Sequence, residues 1–136
     1  MKKESLRDVF KRKYGDIISP ENCGVSFGDG WYDIVCQCCD LVVRVNSELP
    51  PDARKIKVVQ IKQKFGTLRF YVDYVPENWI SSKINELQSL TRNICEDCGA
   101  PGKERDGSWI RTLCDSCSSK AKSNFVFETN PIDEDQ

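Results

Sequence analysis

Two Cys-x-x-Cys pairs near the end of the chain are the residues whose type and spacing best indicate a specific chemistry. Cys95 and Cys98 form the first pair, Cys114 and Cys117 form the second, and fifteen residues separate the two pairs. Each turn of this kind presents two thiolates from one short loop, and zinc prefers four thiolates in a tetrahedron. The spacing therefore predicts one Zn²⁺ ion held between two facing hairpins. Because protein ligands fill all four positions, the predicted ion is structural and not catalytic.

Disulfide bonds and a redox dithiol are the alternatives for these cysteines. A redox motif would stand alone beside a strand-to-helix junction, whereas two pairs are present here. In addition, Gly99 directly after Cys98 suits a turn whose amides face a metal-bound sulfur. The chain begins MKKESL with no apolar run behind the lysines, so no signal peptide to an oxidising compartment is expected. Zinc is therefore favoured, and a cytoplasmic location is expected.

Four earlier cysteines are a weaker candidate for a second metal site: Cys23, Cys36, Cys38 and Cys39. Cys38 and Cys39 are adjacent, so on a helix they project about 100° apart and do not easily face one ion. We expect these residues to be buried free thiols that act as small hydrophobic side chains.

The composition argues against several classes of function. The 136 residues include no histidine, which removes nucleophile-plus-histidine mechanisms and deaminase-type zinc sites. A formal net charge of −1 gives no overall attraction to nucleic acid. No stretch approaches the roughly 20 apolar residues of a membrane-spanning helix. An enzymatic role would rest on scattered acids such as Asp33 and Asp73, which are more often solvated surface, so we expect a non-enzymatic protein without a membrane partner.

Hydrophobic periodicity predicts an α+β fold. Apolar residues at three- and four-residue intervals predict helices over residues 5–15, 31–45 and 76–94. Alternating apolar residues on both sides of Lys64-Phe65-Gly66-Thr67 predict a β-hairpin, with a bulge or a turn between Val58 and Ile61. The helices are expected to pack on this hairpin or on a small antiparallel sheet, with a C-terminal zinc ribbon attached. The predicted domains are an α+β domain (1–94), the four-cysteine ribbon (95–120) and a flexible acidic tail (121–136).

The predicted hairpin is basic and bears aromatic residues. No acidic residue lies between Asp52 and Asp73, and this segment contains six cations and three aromatic residues: Arg54, Lys55, Lys57, Lys62, Lys64, Arg69, Phe65, Phe70 and Tyr71. Such strands suit a phosphate backbone and stacked bases. A half-buried sheet, however, also needs apolar residues on one side and solvated lysines on the other. A regulator that binds nucleic acid is therefore the second hypothesis, with four contact residues: Lys62, Lys64, Phe65 and Arg69.

The residues between the two cysteine pairs are expected to support the metal. Three cations are expected to balance the negative charge of a four-thiolate centre: Lys103, Arg105 and Arg111. Trp109 and Ile110 are predicted to lie on a strand and therefore to point to opposite faces. One of them would cover the metal, and the other would dock the ribbon onto the third helix.

Three separated segments resemble, in order, a set of small uncharacterised bacterial and phage proteins. They are Gly28-Asp29-Gly30-Trp31-Tyr32, the hairpin QIKQKFGTLRFY at residues 60–71, and Cys95-x-x-Cys98-Gly99-Ala100-Pro101-Gly102 with Trp109 and Thr112-Leu113-Cys114. The resemblance covers most of residues 28–118 and implies a bacterial, phage or prophage origin. Small accessory proteins of such genomes often bind and block another protein, as inhibitors of host defence or as toxin immunity proteins. The first hypothesis is therefore protein–protein contact, with the hairpin and the Trp31-Tyr32 loop as candidate surfaces.

Overall fold

The structure, a computed structural model, describes residues 5–107 and 109–120. In chain order its elements are α1 (Leu6–Tyr14), α2 (Tyr32–Glu48), β1 (Val58–Lys64), β2 (Thr67–Val72), α3 (Asn78–Leu90), β3 (Lys103–Arg105) and β4 (Arg111–Leu113). Short 3₁₀ turns occupy Gly15–Ile17, Asp29–Trp31 and Thr91–Asn93. Helices with two small antiparallel sheets confirm the predicted α+β class. The predicted acidic tail, residues 121–136, lies outside the described residues.

The first two helices form as their apolar spacing predicts. Ser5 caps α1, because its hydroxyl accepts a hydrogen bond from the Asp8 N–H at 3.1 Å. The Tyr14 hydroxyl donates to Asp40 Oδ1 at 2.7 Å and so joins α1 to α2. The helix α2 ends at Glu48, ahead of the two prolines, and buries seven side chains: Ile34, Val35, Cys38, Cys39, Leu41, Val42 and Val45.

The predicted hairpin is present with its predicted bulge. Strands β1 and β2 pair antiparallel from Lys64 opposite Thr67 to Val58 opposite Val72, and the register shifts between Val58 and Gln60. At the turn, Phe65 has φ 54° and Gly66 has φ 80°, so both are left-handed. This is the backbone pattern of a type I′ turn, whose twist matches that of the flanking strands.

Both edges of this two-stranded sheet are covered by hydrogen bonds. On the β1 side, the loop at residues 18–26 runs alongside the strand, and the Ile61 N–H donates to the Gly24 carbonyl at 3.0 Å. On the β2 side, the Leu68 N–H donates to Thr91 Oγ1 at 3.0 Å and the Phe70 N–H donates to Gln88 Oε1 at 2.6 Å. A lone hairpin is marginally stable, so these bonds and the packed helices stabilise it.

The third helix ends earlier than its apolar pattern predicts. It buries Ile80, Ile84 and Leu87, but Leu90 is 48% exposed. A 3₁₀ turn then replaces the predicted helix, because the Thr91 hydroxyl donates to the Gln88 carbonyl at 2.6 Å while it accepts from β2.

Among the described residues, no helix has the length and apolar character needed to cross a bilayer.

Replacing Thr91 by Val keeps the shape of the side chain but removes the hydroxyl that accepts a hydrogen bond from β2. The buried Leu68 N–H then loses its acceptor, and we expect the free energy of unfolding to fall by about 1–3 kcal/mol. Urea denaturation of the metal-loaded protein measures this change. Thr91→Ser is the matched control, because it keeps the hydroxyl, and it should lose less stability than Thr91→Val. Equal stability of Thr91→Val and the wild type would contradict the role assigned to the hydroxyl.

Candidate metal centre

The four predicted ligands meet at one point. The Sγ atoms of these cysteines all lie within 4.8 Å of one another, and Cys98 Sγ is 3.7 Å from Cys114 Sγ. A disulfide requires about 2.05 Å between its sulfur atoms. A tetrahedral zinc site with Zn–S bonds of 2.3 Å places its sulfur atoms about 3.8 Å apart. The geometry therefore fits one metal ion held by four thiolates: Cys95, Cys98, Cys114 and Cys117.

The first cysteine pair lies on a tight turn whose amides face sulfur. The Gly99 N–H donates to the Cys95 carbonyl at 2.9 Å, and Gly99 has φ 87°, which a residue with a side chain rarely adopts. The turn then brings the Ala100 N–H to 3.5 Å from Cys98 Sγ. Amide donors of this kind stabilise metal-bound thiolates.

The second pair is not on a hairpin, which corrects the expectation of two facing hairpins. Residues 115–120 are helical, and Cys114 stands directly before them. The Cys117 N–H donates to Cys114 Sγ at 3.3 Å, and the Ser118 N–H donates to the Cys114 carbonyl at 2.9 Å. The first turn of a helix has unpaired N–H groups that favour anionic partners. The strands β3 and β4 lie between the two pairs and bring them together.

Two of the four thiols, Cys95 and Cys117, differ in pKa. Burial raises the pKa of Cys95, but hydrogen bonds from three backbone groups, the first at Cys114, outweigh burial and lower it to about 7. The hydrogen bond with the Cys114 thiol raises the pKa of Cys117 to about 12. Four thiols this close do not all ionise without a cation, because each thiolate disfavours the next. Binding of a divalent ion therefore releases protons, and acid competes with the metal.

Two arginines neutralise the carboxylates that stand beside the cysteines. Arg111 Nη2 lies 3.2 Å from Glu96 Oε1 and 2.7 Å from Asp97 Oδ1. Burial raises the pKa of Glu96, and the charge of Arg111 opposes this shift. Arg105 donates to the Leu113 carbonyl at 3.1 and 3.0 Å and pairs with Asp115 at 2.8 Å. The cations thus pair with neighbouring carboxylates, and the expected balance of the thiolate charge stays a prediction. Arg105 and, to a smaller extent, Lys103 lower the pKa of Asp115.

The Gly28-Asp29-Gly30-Trp31 segment docks directly against the first cysteine turn. The Gly30 N–H donates to the Glu96 carbonyl at 2.7 Å, and Trp31 Nε1 donates to the Ile94 carbonyl at 2.8 Å. A methyl group on Gly30 would overlap the Cys95 carbonyl, and one on Gly28 would overlap the Glu96 carbonyl. Both glycines are therefore required by the close approach of two backbones.

Trp31 is a core residue, which corrects its prediction as a partner contact. Its side chain is 0% exposed and belongs to the main hydrophobic core. Tyr32 is partly buried, and its ring packs edge-on against Phe10 at 6.5 Å between centroids. An indole that is fully buried and hydrogen-bonded fixes the docked loop. In the sequence, glycines beside aromatic residues indicated an exposed loop. The sequence does not show that this loop contacts Glu96, which is distant in the chain.

The hairpin residues of the predicted partner surface lie at the turn and on the side facing away from the core. Phe65 is 63% exposed, and the Lys64 Nζ atom lies 5.8 Å from the centroid of its ring. Lys62 and Arg69 are partly exposed and stand directly opposite each other in the strand register. These four residues therefore remain available to a partner.

Ile110 and Trp109 do not occupy the predicted strand. They precede β4, and Trp109 is 56% exposed. The Ile110 side chain borders Gly66 of the hairpin turn, and Thr112 Oγ1 donates to the Gly66 carbonyl at 2.6 Å. The predicted docking of this segment on α3 is thus corrected to docking on the β1–β2 turn. The 3₁₀ turn that follows α3 contacts the ribbon elsewhere, where the Gly102 N–H donates to the Asn93 carbonyl at 2.9 Å.

The remaining cysteines lie in different surroundings. Cys38 and Cys39 are completely buried in the core, as predicted, and burial raises the pKa of Cys38 to about 12. Cys36 is partly exposed and Cys23 is exposed, which corrects the expectation that all four of these thiols are buried. Buried thiols with a raised pKa are unreactive, so Cys38 and Cys39 serve packing.

Removal of one thiolate is expected to release the metal. Wild-type protein expressed with zinc should show one metal ion per chain by native mass spectrometry, and Cys114→Ser should show none. Structural zinc in small modules contributes about 10–16 kcal/mol of apparent folding free energy, so the Cys114→Ser ribbon should exchange its amide hydrogens rapidly. Cys23→Ser, a change at an exposed cysteine outside the cluster, is the matched control and should keep the ion. Metal retention by Cys114→Ser would contradict the four-thiolate site.

The docked loop provides a second test, through Gly30→Ala. The added methyl group meets the Cys95 backbone, and we expect the free energy of unfolding to fall by about 2–3 kcal/mol, as for overpacked cores. Metal affinity, measured by competition with a chromogenic chelator, should fall with it. Gly15→Ala is the matched control, because a methyl group at Gly15 meets nothing within 4 Å and φ there is −55°. If Gly30→Ala and Gly15→Ala show the same stability and the same metal affinity, the docking contact does not support the metal site.

Comparisons with known proteins return no match. No protein-family model matches the chain, no curated protein matches it, and no solved structure matches it. The resemblance to bacterial and phage proteins, which rests on segments between residues 28 and 114, therefore stays a prediction. Function is to be argued from the geometry of the described residues.

Proposed function

We propose that this chain is a zinc-stabilised, non-enzymatic protein that acts by protein–protein contact. Four thiolates in a tetrahedral arrangement are the donor set that favours zinc. A site closed by four protein ligands has no open position for a substrate or an activated water. The chain also contains no histidine for general acid–base catalysis. These features support a metal that holds shape and a function that resides on the surface.

The proposed contact surface is an aromatic tip, defined here as Phe65 of the hairpin turn and Trp109 of the loop before β4. Both side chains are more than half exposed, at 63% and 56%. The hairpin turn and the loop before β4 are adjacent, because Gly66, next to Phe65, borders Ile110, next to Trp109. Large aromatic residues with exposed rings are the residues that most often dominate protein–protein binding energy.

The conformation of Phe65 is the observation that carries the proposal. Type I′ turns favour asparagine or glycine at this position, since both tolerate φ above zero. Phenylalanine there has a left-handed conformation that costs about 1–2 kcal/mol, and its ring remains mostly exposed. The fold gains little from the ring in return, apart from the weak contact with Lys64. A strained and exposed aromatic residue is best explained by a contact outside the chain.

The base of the aromatic tip is held in place on both sides. Thr112 Oγ1 bonds the turn carbonyl of Gly66, and β4 leads directly into the ligand Cys114. The metal therefore fixes the strand on which the hairpin turn rests. A surface that is already ordered loses less conformational entropy on binding. The role that suits such a surface is to bind and block another protein, as an inhibitor of host defence or a toxin immunity protein does.

Phe65→Asn separates stability from function at this position. Asparagine relieves the left-handed strain, so the free energy of unfolding should rise by about 1 kcal/mol. The same change removes the exposed ring, so partner binding should weaken. Thermal denaturation measures the first effect, and quantitative pull-down of a tagged chain from its host measures the second. A stability gain with unchanged partner recovery would place the contact elsewhere.

The pull-down includes a matched control and a decisive negative outcome. Trp79→Ala removes another exposed aromatic residue, 44% exposed on α3, and should leave partner recovery unchanged. Trp109→Ala should reduce recovery as Phe65→Asn does. Recovery of the bait alone, or of nucleic acid alone, would overturn the proposal of a protein partner.

A further inference from the structure

The side of the hairpin that faces away from the core carries two cations in an unfavourable arrangement. Lys62 and Arg69 are directly opposite each other in the register, and the neighbouring pair on the same side is Gln60 and Tyr71. The alternate pair, Ile61 with Phe70, is buried and marks the inner side. Like charges directly opposite each other destabilise a strand pair. We call the four residues of the first two pairs the outer face.

Within the part of the chain that the structure describes, the two cations of the outer face form none of the ion pairs or carbonyl contacts that other cations of this segment form. Arg54 pairs with Asp73 at 3.6 Å, Lys55 Nζ donates to the Pro50 carbonyl and Lys57 Nζ donates to the Asp16 carbonyl, both at 2.6 Å. Within residues 5–107 and 109–120, neither Lys62 nor Arg69 forms an ion pair.

The guanidinium of Arg69 is also left with an unmet donor. Its Nε atom is buried and has no hydrogen-bond acceptor within the part of the chain that the structure describes. Burial of a donor without an acceptor is unfavourable. An anion seated between Lys62 and Arg69 would relieve the repulsion between them, and it would pair with the exposed part of the guanidinium while the chain continues to cover Nε.

Aromatic rings flank this pair of cations. Tyr71 is 41% exposed and lies two residues from Arg69 on the same side of β2. Beyond Lys62 towards the turn, Lys64 adds a third cation beside the exposed Phe65 ring. Cations interleaved with exposed rings along one strand pair suit a phosphate backbone whose unpaired bases stack. Carboxylates of an acidic protein would satisfy the charges but would not use the rings in this way.

We propose that the outer face binds single-stranded nucleic acid. Phosphates contact Lys62, Arg69 and Lys64, and one base stacks on Tyr71. Duplex nucleic acid fits less well, because its bases are already stacked on one another and are not available to an isolated ring. This inference is independent of the aromatic tip as a protein-binding surface, and each can fail without the other.

Fluorescence polarisation with fluorescein-labelled dT15 and U15 tests the inference on the full metal-loaded chain. Binding is expected at 50 mM NaCl, and the logarithm of the association constant should fall against the logarithm of salt with a slope of about −2, the value for three neutralised phosphates on a single strand. Tyr71→Ala should weaken binding about tenfold without changing the slope, because stacking is not a counterion effect.

Lys62→Glu is the sharpest variant. It places an anion opposite Arg69, so it should stabilise the hairpin while it weakens oligonucleotide binding at least tenfold and flattens the salt slope. A loss of binding therefore does not arise from unfolding. Lys83→Glu is the matched control, since Lys83 is an exposed lysine of α3 that pairs with Glu86 at 3.0 Å, and it should bind as the wild type does.

Three results would overturn the inference. The first is no binding of dT15 or U15 at 50 mM NaCl. The second is an equal loss of binding in Lys62→Glu and Lys83→Glu, which would indicate net charge alone. The third is binding of a fifteen-residue polyglutamate peptide as tight as that of the oligonucleotides, which would assign the outer face to an acidic protein partner. A salt-dependent loss confined to Lys62→Glu and a slope-neutral loss in Tyr71→Ala would support it.

Discussion

The docking of residues 28–31 against the first cysteine turn is the constraint on which the rest of the structure depends. One short segment holds both the buried Trp31 and the glycine whose N–H bonds the Glu96 carbonyl. Side chains at the two glycines would separate the backbones. The start of α2 and the metal site therefore share one contact. A metal ion held by the four cysteines would order the turn that accepts this loop, so the contact couples the helical core to the ribbon.

Two further hydrogen bonds connect the surroundings of the cysteine cluster to the β1–β2 hairpin. Thr112 joins β4 to the carbonyl of Gly66, and Thr91 joins the segment before the first cysteine turn to β2. Both threonines are buried, at 1% and 0% exposed, and each satisfies a backbone group that no strand partner reaches. Buried polar groups of this kind are stable only when paired. The ribbon thus acts as a support for the hairpin turn, and the contact of Thr112 with Gly66 crosses the predicted boundary at residue 94.

Local periodicity and spacing predicted the helices, the hairpin and its bulge. The spacing of the four cysteines also predicted that they meet in one cluster. The surroundings of the site depend on long-range pairs, such as Gly30 with Glu96, and no local pattern reports them. Trp31 was predicted at the surface for that reason. The helical start after Cys114 did have a local signal, since Asp115 and Ser116 suit a first helical turn. The early end of α3 depends on Thr91, whose hydroxyl accepts a hydrogen bond from a strand more than twenty residues away in the chain.

Two features of the hairpin sequence lower the stability of the fold, and both lie towards the turn end of the hairpin. An asparagine would suit the turn better than Phe65, and an acidic residue would suit the register better than one of the two opposed cations. Elsewhere the chain follows local preference, as the cap at Ser5 and the paired Arg111 illustrate. Natural sequences depart from local preference mainly where function requires it. Two independent departures, one of backbone strain and one of charge, are therefore the physical reason for proposing function on this hairpin, beside the candidate metal site that supports its turn.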